Sequence, residues 1–80
     1  MNNELPRIYA DANEAEADGR FWLHIPGSRK DIERYSDRLK PGMRVIFNVQ
    51  DEFEVEGTLE IDERHGTWLG RPDYSTLRDL

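Results

Sequence analysis

Between residues 53 and 62 the chain alternates strictly between two kinds of side chain. The odd positions are apolar or glycine (Phe53, Val55, Gly57, Leu59, Ile61), and the even positions are polar (Glu54, Glu56, Thr58, Glu60, Asp62). Because successive side chains of a β-strand point to opposite faces, this pattern predicts a long strand with one apolar and one mostly acidic face. A sheet is therefore expected at the centre of the fold.

Four further segments have the composition or alternation of strands, namely residues 6–13, 20–25, 43–49 and 67–71. Pro72 is expected to end the last of them, and residues 74–80 to form a short helical turn. The stretch of residues 10–19 is ambiguous between strand and helix. Its alanine and glutamate content favours helix, whereas Asp18-Gly19 is typical of a hairpin turn, and we prefer the hairpin.

One helix is predicted over residues 28–39. Ser28 and Asp31 have the spacing of a capping box, and Ile32, Tyr35 and Leu39 form an apolar stripe of helical period. Lys40-Pro41-Gly42 should stop the helix, since proline lacks an amide donor. A helix of about three turns is too short to be stable alone, so it should dock on the sheet.

The order of these elements predicts a mainly β (α+β) fold of five antiparallel strands, with the helix between strands two and three. A small, partly open, SH3-like barrel fits this order best, because an OB-fold would place the helix between strands three and four. A roll with the helix on a sheet is the alternative. The predicted core consists of Ile8, Phe21, Leu23, Ile25, Ile32, Tyr35, Leu39, Val45, Phe47, Val49, Phe53, Val55, Leu59 and Ile61.

Composition sets the class of protein. Eighty residues without cysteine predict a single domain, residues 1–80, that has neither disulfides nor a cysteine-based metal site. The chain has no apolar run of about 20 residues, as a membrane-spanning helix requires, and residues 1–6 lack the features of a signal peptide. A cytoplasmic protein without membrane contact is therefore expected. The net charge of −6 argues against a nucleic-acid partner.

Charge is distributed unevenly along the chain. Residues 51–63 contain seven acidic and no basic residues, whereas residues 28–44 contain six basic and three acidic ones. Such charge is often an ordinary solvated surface. The alternative is a bipolar molecule that orients a protein partner. In that case the partner surface consists of Glu54, Glu56, Glu60 and Asp62 on the sheet and of Lys30, Arg34 and Arg38 on the helix.

The sequence contains no recognisable catalytic, cofactor or metal motif. His24 and His65 stand outside any metal-ligand spacing, and the EF-hand pattern is absent. We therefore predict a non-enzymatic interaction or accessory module with an unidentified protein partner and no cofactor. A ligand-binding barrel or small enzyme is the first alternative, and a nucleic-acid-binding barrel the second. A deep pocket with either histidine beside a carboxylate would favour the enzyme.

Ile46 is the one apolar residue on the outward side of the third strand. If the helix covers it, the chain should be a monomer and the acidic row the largest surface of one sign. If it is bare, a weak dimer through strands three and four is expected. We favour the monomer, because the helix needs an apolar docking site.

Overall fold

The structure is a computed structural model that describes residues 5–80. Five strands and one helix follow one another along the chain: β1 (Arg7–Ala10), β2 (Phe21–Trp22), α1 (Pro26–Arg34), β3 (Arg44–Val49), β4 (Phe53–Asp62) and β5 (Thr67–Asp79). The prediction of a mainly β fold with one helix between the second and third strands is confirmed.

The five strands form one curved sheet in the order β1-β3-β4-β5-β2, which makes a half-barrel. Three of the four strand pairs are antiparallel, but β1 and β3 run parallel. The prediction of a wholly antiparallel sheet is therefore wrong. The chain reaches β3 only after passing through β2 and α1, and a long crossover of this kind lets two neighbouring strands run in the same direction.

Helix α1 is shorter than predicted and starts earlier, at Pro26 instead of residue 28. Proline is tolerated in the first turn because the amide it lacks would have no partner there. Ser28 and Asp31 do not cap the helix, whose N-cap, Ile25, makes no side-chain hydrogen bond. The chain leaves the helix at Tyr35 (φ −106°) and continues in turns that bury Leu39 in the core.

The C-terminal segment also differs from the prediction, because β5 runs through Pro72 to Asp79 and residues 74–80 form no helical turn. Pro72 pairs with Gly57 on β4, and β2 pairs only with residues 69 and 70 of β5. Within residues 5–80, the other edge of β5 therefore has no paired strand at Pro72, and proline is tolerated in such edge segments.

Strand β5 also contains a bulge. Glu56 pairs with Asp73 and Glu54 with Arg78, so residues 74–77 stand opposite Val55 alone. The hydroxyl of Thr76 accepts a hydrogen bond from the amide of Glu56 (2.8 Å) and donates one to the carbonyl of Asp73 (2.7 Å). One side chain thus replaces the ladder hydrogen bonds that the bulge removes.

Residues 11–20 contain turns and only a remnant of the predicted hairpin. Ala15 forms an isolated antiparallel bridge with Phe21, and the amide of Glu16 donates to the carbonyl of Arg20 (2.8 Å). Gly19, at φ +92°, supplies the conformation that the turn needs. Strand β2 is correspondingly shorter than the predicted residues 20–25.

The core lies on the concave side of the sheet, and it contains most of the predicted residues. Buried there are Ile8, Ala10, Phe21, Leu23, Leu39, Val45, Phe47, Val49, Val55 and Leu59. Ile61 is the main error, since 38% of it is exposed. It lies three residues beyond Thr58, the last residue of β4 in register with β3, so β3 does not extend alongside it. Ile25, Ile32, Tyr35 and Phe53 are half-buried.

The ring of Phe47 fills the centre of the half-barrel and requires glycine beneath it. A Cβ atom at Gly70 would overlap two carbons of this ring, and one at Gly57 would lie 2.8 Å from it and collide with the carbonyl oxygen of Arg71. The Phe47 ring also packs edge-on against Phe21, at 5.6 Å between ring centres. The glycines thus let the sheet curve closely around one aromatic side chain.

Candidate functional site

A surface cleft of about 500 Å³ lies where α1 faces the end of the half-barrel. Its walls come from the segment after β2 (Leu23, His24), from α1 (Arg29, Ile32, Glu33) and from the β4–β5 turn with the start of β5 (Gly66, Thr67, Trp68). We call it the α1 cleft. We call Leu23, Ile32 and Trp68 its floor, because Leu23 belongs to the hydrophobic core and the other two pack against it. Charged side chains of α1 lie beside this floor.

Helical spacing explains why α1 presents both apolar and charged groups to the cleft. Arg29, Ile32 and Glu33 are three and four residues apart, so they share one face of the helix. Ile32 packs against the core, and it therefore holds Arg29 and Glu33 beside the opening. The amide of Leu23 donates to the carbonyl of Trp68 (3.1 Å), which joins the segment after β2 to β5.

His24 gives the cleft a titratable group. Its Nε2 atom lies 3.3 Å from a carboxylate oxygen of Glu14, and about half of each side chain is exposed. Glu14 does not belong to the cleft wall. Within residues 5–80, no group of three or more histidine and carboxylate side chains is arranged to hold a metal ion.

His65 lies at a second, smaller cavity of about 180 Å³, next to Asp62 and Trp22. Its Nδ1 atom is 2.5 Å from Asp62 Oδ2, and its ring packs edge-on against Trp22. The hydrogen bond from His65 and a second one from the amide of Arg64 hold the pKa of Asp62 below its ordinary value. Asp62 thus fixes the β4–β5 turn, which is a structural role.

The predicted acidic row does form on the convex face of the sheet, but its carboxylates have internal partners. Glu54 is paired with Arg7 and Arg78, and Glu56 with Arg44 (3.3 Å). Glu60 contacts both Arg71 (2.6 Å) and Arg20 (2.9 Å). The hydrogen bond from Arg71, followed by the one from Arg20, lowers the pKa of Glu60. Most of these arginines lie on neighbouring strands, where the alternation along β4 gives no indication of them.

The predicted basic row is divided between two parts of the chain. Lys30 and Arg34 are exposed on α1, whereas Arg38 lies after the helix, with its guanidinium 5.5 Å from the ring centre of Tyr35. None of the three lines the α1 cleft. Arg29 does, although the sequence analysis did not single it out. The sequence feature that indicates Arg29 is its spacing of three residues from Ile32, which places Arg29 beside the apolar stripe of the helix.

Among the residues that the structure describes, the basic residues between positions 29 and 40 differ from those of the sheet in having no ion pair. Among residues 5–80, the arginines within ion-pair distance of a carboxylate are Arg7, Arg20, Arg44, Arg71 and Arg78. The five cations of the helical region are absent from this set. Positive charge is therefore available to a partner mainly around α1.

Ile46 is half-buried on the convex face, in register with Arg7 of β1 and Glu56 of β4. Helix α1 packs on the other side of the sheet, where Ile32 and Tyr35 contact the core. The expectation that the helix covers Ile46 is therefore wrong, because the docking site of the helix is the open side of the half-barrel.

No helix among the described residues is long and apolar enough to span a membrane. Comparisons of the chain with protein-family models, with curated proteins and with solved structures found no match. What the protein does has to be inferred from the α1 cleft and the charges around it.

Proposed function

We propose that this protein is a small, non-enzymatic interaction module that binds a segment of a partner protein in the α1 cleft. The observation that carries the proposal is the apolar floor of Leu23, Ile32 and Trp68 inside a cleft of about 500 Å³. Pockets of roughly 300–1,000 Å³ with apolar linings and a few polar groups are typical of ligand sites. A single large side chain of a partner fits such a space.

The convex face of the sheet is a weaker candidate. Glu54, Glu56 and Glu60 already contact arginines of the same chain, and Asp62 contacts His65, so a basic partner would have to compete with existing ion pairs. Exposed ion pairs such as that of Glu56 contribute little free energy, and a partner gains little by replacing one with another. Glu54 is buried and is therefore not accessible to a partner. The predicted partner surface on the sheet therefore ranks second to the α1 cleft; it consists of Glu54, Glu56, Glu60 and Asp62.

Binding is favoured over catalysis by the surroundings of His24. A general base has to lie within hydrogen-bond distance of the group it deprotonates. Thr67 brings a hydroxyl group to the same cleft, but this hydroxyl donates its hydrogen bond to the carbonyl of His65 (3.4 Å) and not to His24. His24 itself is paired with Glu14 outside the cleft. In this proposal the half-barrel is SH3-like and cytoplasmic, and its partner is a protein. The chain is a monomer in this proposal because Ile46, although the helix does not cover it, is half-buried between β1 and β4.

The test is affinity capture from a lysate of the native host, with matched tryptophan variants as bait. Trp68→Ala removes the cleft floor, and Trp22→Ala removes a tryptophan that is also half-buried but lies at the smaller cavity. We expect a partner that wild type and Trp22→Ala retain and that Trp68→Ala loses. Amide spectra establish that each bait is folded, and Trp68→Leu replaces the alanine variant if that one is not. A partner retained equally by folded Trp68 variants would contradict the proposal.

A further inference from the structure

We infer that the occupant of the α1 cleft is an acidic segment that presents one large apolar side chain. The inference rests on the proposed function and specifies the chemistry of the partner. It depends on three features of the structure, which are the free positive charge of α1, the negative charge of the remaining surface, and the position of Arg29.

The exposed cations of α1 are Arg29, Lys30 and Arg34, which we call the helix cations. Within the described residues none of them is ion-paired. Asp31 lies among the helix cations, and its carboxylate accepts a hydrogen bond from the amide of Tyr9 (2.9 Å). With the two carboxylates of Asp31 and Glu33 counted against the three cations, α1 has a net charge of +1 beside the cleft.

The rest of the molecule repels an acidic partner. The chain has a net charge of −6, and residues 51–63 alone contain seven acidic and no basic residues. Opposite ends of different sign orient an approaching charged molecule. An acidic segment is therefore steered towards α1, and charge of this kind mainly raises the rate of encounter and excludes wrong partners.

Arg29 converts this general attraction into a specific contact. It lines the cleft, and a guanidinium group can donate two parallel hydrogen bonds to one carboxylate. Glu33, one helical turn further along the same wall, repels a second carboxylate. The pair therefore requires an acidic residue of the partner near Arg29 and disfavours one near Glu33, while the apolar side chain occupies the floor between Ile32 and Trp68.

The experiment uses the full chain labelled with ¹⁵N and three short peptides that share one central phenylalanine. The phenylalanine is flanked by glutamate in the first peptide, by glutamine in the second and by lysine in the third. We expect the glutamate peptide to shift the amide signals of Ile32, Thr67 and Trp68 and to bind about tenfold more tightly than the glutamine peptide, as charge-assisted hydrogen bonds are the stronger kind.

Three variants locate the effect. Arg29→Glu should weaken binding of the glutamate peptide by about tenfold or more, since a carboxylate contact becomes a repulsion. Lys40→Glu changes the net charge equally but lies outside the cleft, so its effect should be several-fold smaller. Glu33→Gln should tighten binding. All three positions are on the surface, and unchanged spectra elsewhere confirm the fold.

The possible results separate the inference from the proposed function. Equal or tighter cleft binding of the glutamine or lysine peptide overturns the acidic partner and leaves the cleft as a binding site. Equal losses for Arg29→Glu and Lys40→Glu overturn the contact at Arg29. If no peptide shifts the cleft signals, both the inference and the proposed function are contradicted.

Discussion

At the scale of single residues, Glu54 shows that one side chain of a polar face can be part of the packed structure. Only 5% of it is exposed, and it contacts Arg7 from β1 and Arg78 from β5. Glu56, two residues along the same face, makes an exposed pair with Arg44. The two glutamates share a strand, a face and a chemistry, but they differ in burial.

Glu54→Gln should therefore destabilise the protein by about 1–3 kcal/mol, because a buried, charge-assisted network loses its charge. Glu56→Gln should cost less than about 0.5 kcal/mol, as is usual for exposed ion pairs. Urea unfolding of the two variants and of wild type measures both values. Equal losses would mean that burial does not distinguish the two carboxylates.

The alternation of residues 53–62 predicts the face of Glu54 correctly, since strand geometry is local. It does not predict the burial of Glu54. That depends on Arg7 and Arg78, which are far away in sequence and reach this carboxylate only through strand pairing. Arg29 is a similar case, because its importance depends on the opposite wall of the α1 cleft.

At the scale of elements, helix α1 protects a sheet edge. Strand β1 lies at the edge of the sheet, and the backbone of its Tyr9 bonds to two side chains of α1. The fully buried Ser28 donates its hydroxyl to the carbonyl of Tyr9, and Asp31 accepts the amide. Edge strands that are left open invite pairing with other chains. Ser28 and Asp31, which the sequence predicts as a helix cap, thus form hydrogen bonds with the backbone of β1 and not with the end of the helix.

Ser28→Ala should lower the free energy of unfolding by about 1–3 kcal/mol, because the carbonyl of Tyr9 loses its buried donor. Ser36→Ala is the matched control, since Ser36 is exposed and its side chain makes no hydrogen bond among the described residues. Urea unfolding measures stability, and hydrogen exchange at Tyr9 reports the edge itself. Similar effects of the two substitutions would contradict the edge-protecting role of α1.

At the scale of the whole molecule, the sequence predicts the order of the elements along the chain better than the pairing of strands that are distant in sequence. The element order and the turn at residues 50–52 follow from neighbouring residues, and the structure has both. The parallel pairing of β1 with β3 and the length of β5 do not follow, because each depends on a distant strand. The α1 cleft is formed by three segments that are distant in sequence. The sequence therefore predicts the secondary structure around single residues of the cleft, but not that these residues come together.

The ion pairs of the convex face should make the stability of the whole molecule depend on pH in the acidic range. Hydrogen bonds from Arg71 and Arg20 lower the pKa of Glu60, and those from Ser75 and Arg44 lower the pKa of Asp73. A carboxyl group whose pKa is lower in the folded than in the unfolded state stabilises the fold above its unfolded pKa. That contribution is lost as the pH falls through the folded pKa, because the unfolded chain binds more protons.

The unfolding free energy should therefore decrease as the pH drops below the ordinary values of these groups, 4.5 for Glu60 and 3.8 for Asp73. Urea midpoints at about pH 6 and about pH 3 measure the decrease. It should be smaller in high salt, which screens exposed pairs, and smaller in Glu60→Gln, which has one depressed carboxyl group fewer. A midpoint that stays constant or rises on acidification would show that the arginines on the convex face do not hold these carboxylates in their charged form.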